Sequence, residues 1–79
     1  MTDHRLDITS EICPMTFVKT KLLLERMAPG EIAEVRLKGA EPRDNVPRSV
    51  REHGHEVLSL DPEAGGEIYL LRIRKRSAN

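Results

Sequence analysis

The chain has 79 residues, Lys and Arg equal Asp and Glu at 13 each, and there is one cysteine. That length supports one small domain, residues 1–79, with too little interior for a substrate cavity. Zero net charge gives no pull toward nucleic acid or membrane, and only Phe17 and Tyr69 could stack on a base. A lone thiol excludes an internal disulfide and a zinc site made of several thiolates.

Met1 to Ile8 holds no hydrophobic run, so neither a signal peptide nor a membrane span is expected, and a reducing cytoplasmic setting fits. Arg5 to Ile8 alternates, with Leu6 and Ile8 on one face, and reads as a first strand. Ser10 to Ile12 leads into Cys13-Pro14. Pro14 suits the first position of a helix, where its missing N–H costs nothing. That helix is expected to run to about Met27 and to stop at Pro29-Gly30. Glu31 to Lys38 is a second strand, with Ala33, Val35 and Leu37 inward and Glu34, Arg36 and Lys38 outward.

Gly39 to Asn45 reads as a polar loop carrying Pro42. A shorter helix is expected from about Val46 to His53, with Pro47 in its first turn and Gly54 ending it. Val57 to Leu60 is a third strand, and Asp61 to Glu67 a hairpin loop. Ile68 to Lys75 is the last strand, with Tyr69, Leu71 and Ile73 on its inner face, and the tail beyond Arg76 is expected to fray. The order β-α-β-α-β-β implies two crossovers of the same hand, which put both helices on one face of a four-stranded mixed sheet. The last strand is the most apolar and should lie inside the sheet, antiparallel to the third. The expected fold class is an α/β two-layer sandwich.

The first helix carries two apolar stripes. Thr16, Phe17, Thr20, Leu23, Leu24 and Met27 form one at helical spacing, and Met15, Val18 and Leu22 form another. The second is either part of a wide buried face or an exposed strip for docking a partner. Cys13 is the candidate reactive group. A helix start gathers unpaired N–H groups and the positive end of the helix dipole, which lowers a thiol pKa below the free value of about 8.5. Pro14 stiffens the turn, and the N–H groups of Met15 and Thr16 with the Thr16 hydroxyl are placed to support a sulfur anion. The plainer alternative is a buried cysteine acting as a small hydrophobe.

Cys13-Pro14-Met15-Thr16 resembles the Cys-Pro-x-Pro motif of the TusA/SirA-like sulfur-carrier proteins. Leu6-Asp7-Ile8 is similar to that family's first strand, and Met27-Ala28-Pro29-Gly30-Glu31 to its helix-ending Met-x-Pro-Gly-Glu. Arg43-Asp44-Asn45-Val46-Pro47 resembles the approach to its second helix, and His53-Gly54-His55-Glu56-Val57 the step into its third strand. The resemblance implies that Cys13 accepts sulfane sulfur as a persulfide from a donor protein such as a cysteine desulfurase. It then passes the sulfur to an acceptor protein thiol. In the family the sulfur ends in thiolated tRNA, in sulfur oxidation or in molybdenum-cofactor enzymes. No cofactor, metal, membrane or directly bound nucleic acid is implied. Two positions depart from the pattern. Thr16 replaces the second proline, and Ser10-Glu11-Ile12 stands where the family often has Gly-Leu-Arg, so an acid precedes the thiol and would oppose its ionisation if close.

Two weaker signals are read as structural. His53 and His55 suggest a cap and a surface residue more than metal ligands. Arg72, Arg74, Lys75 and Arg76 suggest a solvated strand face, or a surface for an acidic partner or RNA phosphates. The rival functions are a redox-active or sensing thiol and a small RNA-binding module, and the outward Glu34 counts against the second.

Overall fold

A computed structural model describes residues 3–11, 15–63 and 65–76. The elements are β1 (His4–Asp7), α1 (Met15–Arg26), β2 (Ile32–Lys38), α2 (Ala40–Glu52), β3 (Glu56–Pro62) and β4 (Ile68–Arg74). The strand order is β1-β2-β4-β3, with β1 parallel to β2 and β4 antiparallel to both β2 and β3. The last strand is therefore internal, as its apolar content suggested. The helices touch each other, and both pack on β2. The expected α/β sandwich with a mixed four-stranded sheet is what forms. The helix start at Pro14, Ala64 of the hairpin and the tail beyond Arg76 lie outside the described residues.

The core follows the alternation of the strands. Ala33, Val35 and Leu37 of β2 are fully buried, as are Leu71 and Ile73 of β4. Ile8 joins them, and α1 contributes Leu23 and Leu24 while α2 contributes Val46 and Val50. Burying each larger aliphatic side chain is worth about 1.5–3 kcal/mol. Tyr69 is only half-buried, near the start of β4, where Arg43 covers it. The Arg43 guanidinium carbon sits 5.1 Å from the ring centroid, and Nη1 donates to the phenol oxygen at 3.0 Å.

Several boundaries differ from expectation: β1 spans His4–Asp7, not Arg5 to Ile8, and β2 and β3 begin at Ile32 and Glu56, each one residue away. The second helix begins at Ala40, not Val46, so most of the supposed loop is helical. Gly39 makes the turn with φ 93°, a conformation open to glycine, and its carbonyl accepts from the Arg43 N–H. Pro42 falls in the first turn, where no N–H is needed, and Pro47 is a true interior proline that omits one backbone bond. Burial of Pro42, Val46, Pro47 and Val50 along one face offsets that omission. The third strand runs on to Pro62, which an edge strand tolerates, and it carries a bulge between Val57 and Ser59. The last strand ends at Arg74, one residue early.

The sheet face away from the helices is a lattice of ion pairs. Arg36 bridges Asp7 (2.9 Å) and both oxygens of Glu63 (3.0 Å each), joining β1, β2 and the β3–β4 turn. Arg72 pairs with Glu34, and Arg74 with Glu56. At the other end of the sheet Glu31 accepts from His4 Nε2 (2.7 Å) and from the Ala28 N–H (2.9 Å), tying the turn after α1 to β1.

These contacts depress three carboxyls. The Thr9 hydroxyl and N–H lower Asp7, with Arg36 adding to them, His4 and the Ala28 N–H lower Glu31, and Arg36 lowers Glu63. Each then holds its proton less tightly folded than unfolded, so the unfolded chain takes up more protons in acid. The stabilisation is fully present above the ordinary carboxyl range near pH 4 and is lost as pH falls below it. Urea midpoints should drop between about pH 5 and pH 3. Arg36→Gln, which removes the partner of two of the three, should flatten that slope.

Candidate functional site

The first helix has two unlike sides. Thr16 and Thr20 are fully buried, Leu23, Leu24 and Met27 nearly so, and the Thr20 hydroxyl donates to the Thr16 carbonyl at 2.8 Å. That back-bond satisfies a polar group that would otherwise be costly inside. Phe17 is half-buried, its ring 5.5 Å from that of His53 at 45°. The opposite side is open. Met15 is 42 % exposed, Val18 36 % and Leu22 53 %, three of the four large apolar side chains exposed among the described residues. Of the two readings of this stripe, the wide buried face is set aside.

The candidate thiol Cys13 and Pro14 lie outside the described residues. Their described neighbours are Glu11 and Met15. Glu11 Oε2 accepts from Lys19 Nζ at 2.8 Å, and the Glu11 N–H donates to the Ile8 carbonyl. The acid that precedes the thiol is therefore paired with a cation one turn into α1, which offsets its charge. The pairing was not foreseen, although Lys19 and Glu11 are spaced so that a chain entering a helix could fold one back on the other. Thr16, the third candidate, has its side chain enclosed within the fold.

The two histidines have structural partners. His53 ends α2, with φ −88° and its backbone N–H bonded to the Ser49 carbonyl. Its Nδ1 lies 2.8 Å from that same carbonyl, an acceptor only, so Nδ1 carries the proton. His55 Nδ1 accepts the backbone N–H of Arg76 at 3.1 Å, so its hydrogen is on Nε2 in the neutral ring. Burial, then the charges of Lys75, Arg76 and His53, holds the His55 pKa below its usual value. Gly54 between them has φ 87°, and Arg76 Nη1 lies 3.1 Å from where a Cβ would be. Any side chain there would be strained and crowded. Among the described residues no three metal-ligating side chains gather, and no helix is long and apolar enough to cross a membrane.

The basic C-terminal run is mostly engaged. Arg72 and Arg74 belong to the ion-pair lattice, and Lys75 Nζ donates to the Leu24 carbonyl at the negative end of α1. The reading of this run as a solvated strand face holds for Arg72 and Arg74, which the structure adds are ion-paired.

Comparison with known proteins agrees on one family. The family described as "Sulfurtransferase TusA" matches residues 4–75. A protein of Archaeoglobus fulgidus named "Putative sulfur carrier protein" is 45% identical over 71 residues, covering 90% of this chain and 80% of its own length. A Thermotoga maritima protein of the same name is 41% identical over 69 residues, covering 87% and 86%. YedF of Escherichia coli K12 is 33% identical over 70 residues, covering 89% and 91%. The crystal structure of a SirA-like protein from Desulfitobacterium hafniense superposes with a TM-score of 0.81 at 17% identity, over 95% of this chain and all of the other. That last likeness is one of fold.

Exposure of the α1 stripe sets a stability expectation. Val18→Glu should shift the unfolding free energy by less than about 0.5 kcal/mol, as surface substitutions do, whereas Leu24→Ala on the opposite side should cost about 3 kcal/mol. Urea denaturation of the two variants beside wild type measures both.

Proposed function

The chain belongs to the TusA family, and from that premise we propose that it is a sulfur carrier that holds sulfane sulfur as a persulfide on Cys13. The observation that carries the reading is the chain's only thiol standing within the family match, two residues ahead of the first residue of α1. The names of the curated relatives support it.

The chemistry is an exchange at sulfur. The Cys13 thiolate attacks the outer sulfur of a donor persulfide, and the old sulfur–sulfur bond breaks. The donor leaves as a thiolate with the bonding pair, and Cys13 keeps the outer sulfur. An acceptor thiolate then attacks that outer sulfur and restores the Cys13 thiolate. No net oxidation occurs, so neither step needs a redox cofactor. A helix start favours the anion at each stage, because its unpaired N–H groups and dipole stabilise negative charge whether on thiolate or persulfide. In this reading Pro14 stiffens the turn and Thr16 supports the sulfur anion through its backbone N–H in the first turn of α1, its side chain being enclosed within the fold.

Both partners are proteins, a donor such as a cysteine desulfurase and an acceptor bearing a thiol, and each must bring its own sulfur up to Cys13. Met15, Val18 and Leu22 are the residues we assign to that meeting. They are exposed on the helix that follows the thiol, and their apolar surface is unsatisfied in the free protein. The site works in a soluble cytoplasmic setting, where free thiols persist.

Three measurements test this. Alkylation rate against pH should give a Cys13 midpoint below the free-cysteine value of about 8.5. Labelled sulfur from a desulfurase supplied with radioactive cysteine should appear on wild type and be absent from Cys13→Ser, with circular dichroism unchanged between them. Loading should also fall in Val18→Glu while stability holds. Wild-type protein left unlabelled by several desulfurases and small persulfide donors would overturn the proposal, and a glutathione adduct on Cys13 as purified from cells would favour the redox thiol.

A further inference from the structure

A second surface lies beside the α1 stripe, where α1, the end of α2 and the end of β4 enclose a groove. Phe17, Leu24 and Val50 give it an apolar floor. Its walls are basic. Lys21, Lys75 and Arg76 line it against a single carboxylate, Glu25, and the rings of His53 and His55 complete it.

The donors in this groove are only partly used. Lys21 is exposed and has no polar partner among the described residues. The Arg76 guanidinium makes one long contact, Nη1 to the His53 carbonyl at 3.5 Å, which leaves most of its donors open. His55 spends Nδ1 on the Arg76 backbone, so Nε2–H is its remaining donor. On the open face of the sheet the arginines are matched. Arg5, Arg36, Arg72 and Arg74 meet Glu34, Asp7, Glu63 and Glu56 across the sheet. In the groove, by contrast, Lys21 and most of the Arg76 guanidinium stand without a carboxylate partner among the described residues, beside apolar side chains. Burial is the main reason the His55 pKa is depressed, and the charges that add to it, on Lys75, Arg76 and His53, are all positive.

We propose that this groove seats an acidic segment of a partner protein, with an apolar side chain on the floor and carboxylates toward Lys21, Arg76 and His55. The floor favours a peptide over a bare oxyanion, and the charge imbalance favours an acidic peptide over a basic one. Phe17 is tilted against His53, and it is the only Phe, Tyr or Trp among the residues that line the groove, so a run of stacked bases has no platform there. Lys21 also lies on the α1 surface between the groove and Val18, so one partner could cover both. The proposal rests on the reading of this chain as a carrier that meets other proteins. Its test uses binding alone, so it can fail while Cys13 still loads sulfur.

The experiment titrates the full chain with a capped Glu-Glu-Leu-Glu-Glu peptide, its Lys-Lys-Leu-Lys-Lys counterpart and a hexauridylate, and follows ring signals of Phe17, His53 and His55 by NMR. The acidic peptide should shift all three rings and raise the His55 titration midpoint, because a nearby carboxylate favours the imidazolium. Lys21→Glu should weaken binding about threefold or more, within the range expected of exposed ion pairs, and added salt should act in the same direction. No ring shift, equal binding of the basic peptide, or full affinity in Lys21→Glu would overturn the proposal. Tighter binding of the oligonucleotide would assign the groove to nucleic acid instead.

Discussion

The insertion of β4 between β2 and β3 is the constraint on which the rest of this fold depends. Both crossovers leave parallel strands, and β2 and β3 are separated by the width of one strand until the chain returns antiparallel between them. Leu71 and Ile73, both fully buried, then pair with Val35 and Ala33 on one side and with Leu60 and Val57 on the other. They close the floor on which α1 and α2 rest. The residues after β4 secure the helices as well. Lys75 caps a carbonyl at the end of α1, its backbone bonds to Gly30 and Glu31, and Arg76 reaches the end of α2 through His53 and His55. One strand and two residues beyond it thus settle where both helices sit.

Holding α1 down from one side has a consequence for the other. Its buried face is narrow and contains two threonines, one of which answers its own hydroxyl within the helix. Those small residues let the first turns of the helix lie close to the sheet, while Leu23 and Leu24 supply its bulk in the core. Met15, Val18 and Leu22 are then left outside, where they contribute little to folding and remain available. A helix whose larger apolar side chains all faced inward would present only charge beside Cys13, and would offer a partner no apolar contact.

Legibility in the sequence divided along physical lines. The β2 and β4 strands declared themselves because alternation is local and every second residue is buried by the same layer. The two stripes of α1 were visible for the same reason at period 3.6, but which one faced the core was not, since both are apolar and only the sheet distinguishes them. The start of α2 was missed because Pro42 and Gly39 both read as breakers. Pro42, Val46 and Val50 nevertheless keep one face at spacings of four, and a proline near a helix start is a reason to begin earlier. At the site, the Glu11–Lys19 pair and the use of His55 by the Arg76 backbone are contacts between separate segments. No pattern within either segment carries them. The proposal of Cys13 as the reactive residue draws on composition and position, a single thiol before a proline taken together with the later Pro29-Gly30 and the order of elements.

A net charge of zero conceals how unevenly the charges are used. On the open face of the sheet nearly every outward charge has a partner one strand away, and such pairs contribute little stability each when exposed. Their larger effect is to make that face electrically quiet and unattractive to a phosphate backbone. Lys21 and Arg76 are spared from this matching, and both lie on the helix side, near the exposed α1 stripe. A carrier has to release each partner as readily as it meets it, so a contact built from a short apolar stripe and a few unmatched cations suits the task. In the proposed contact the apolar part would supply area and the charges would draw the right surface in and set its orientation, with neither extensive enough to hold it.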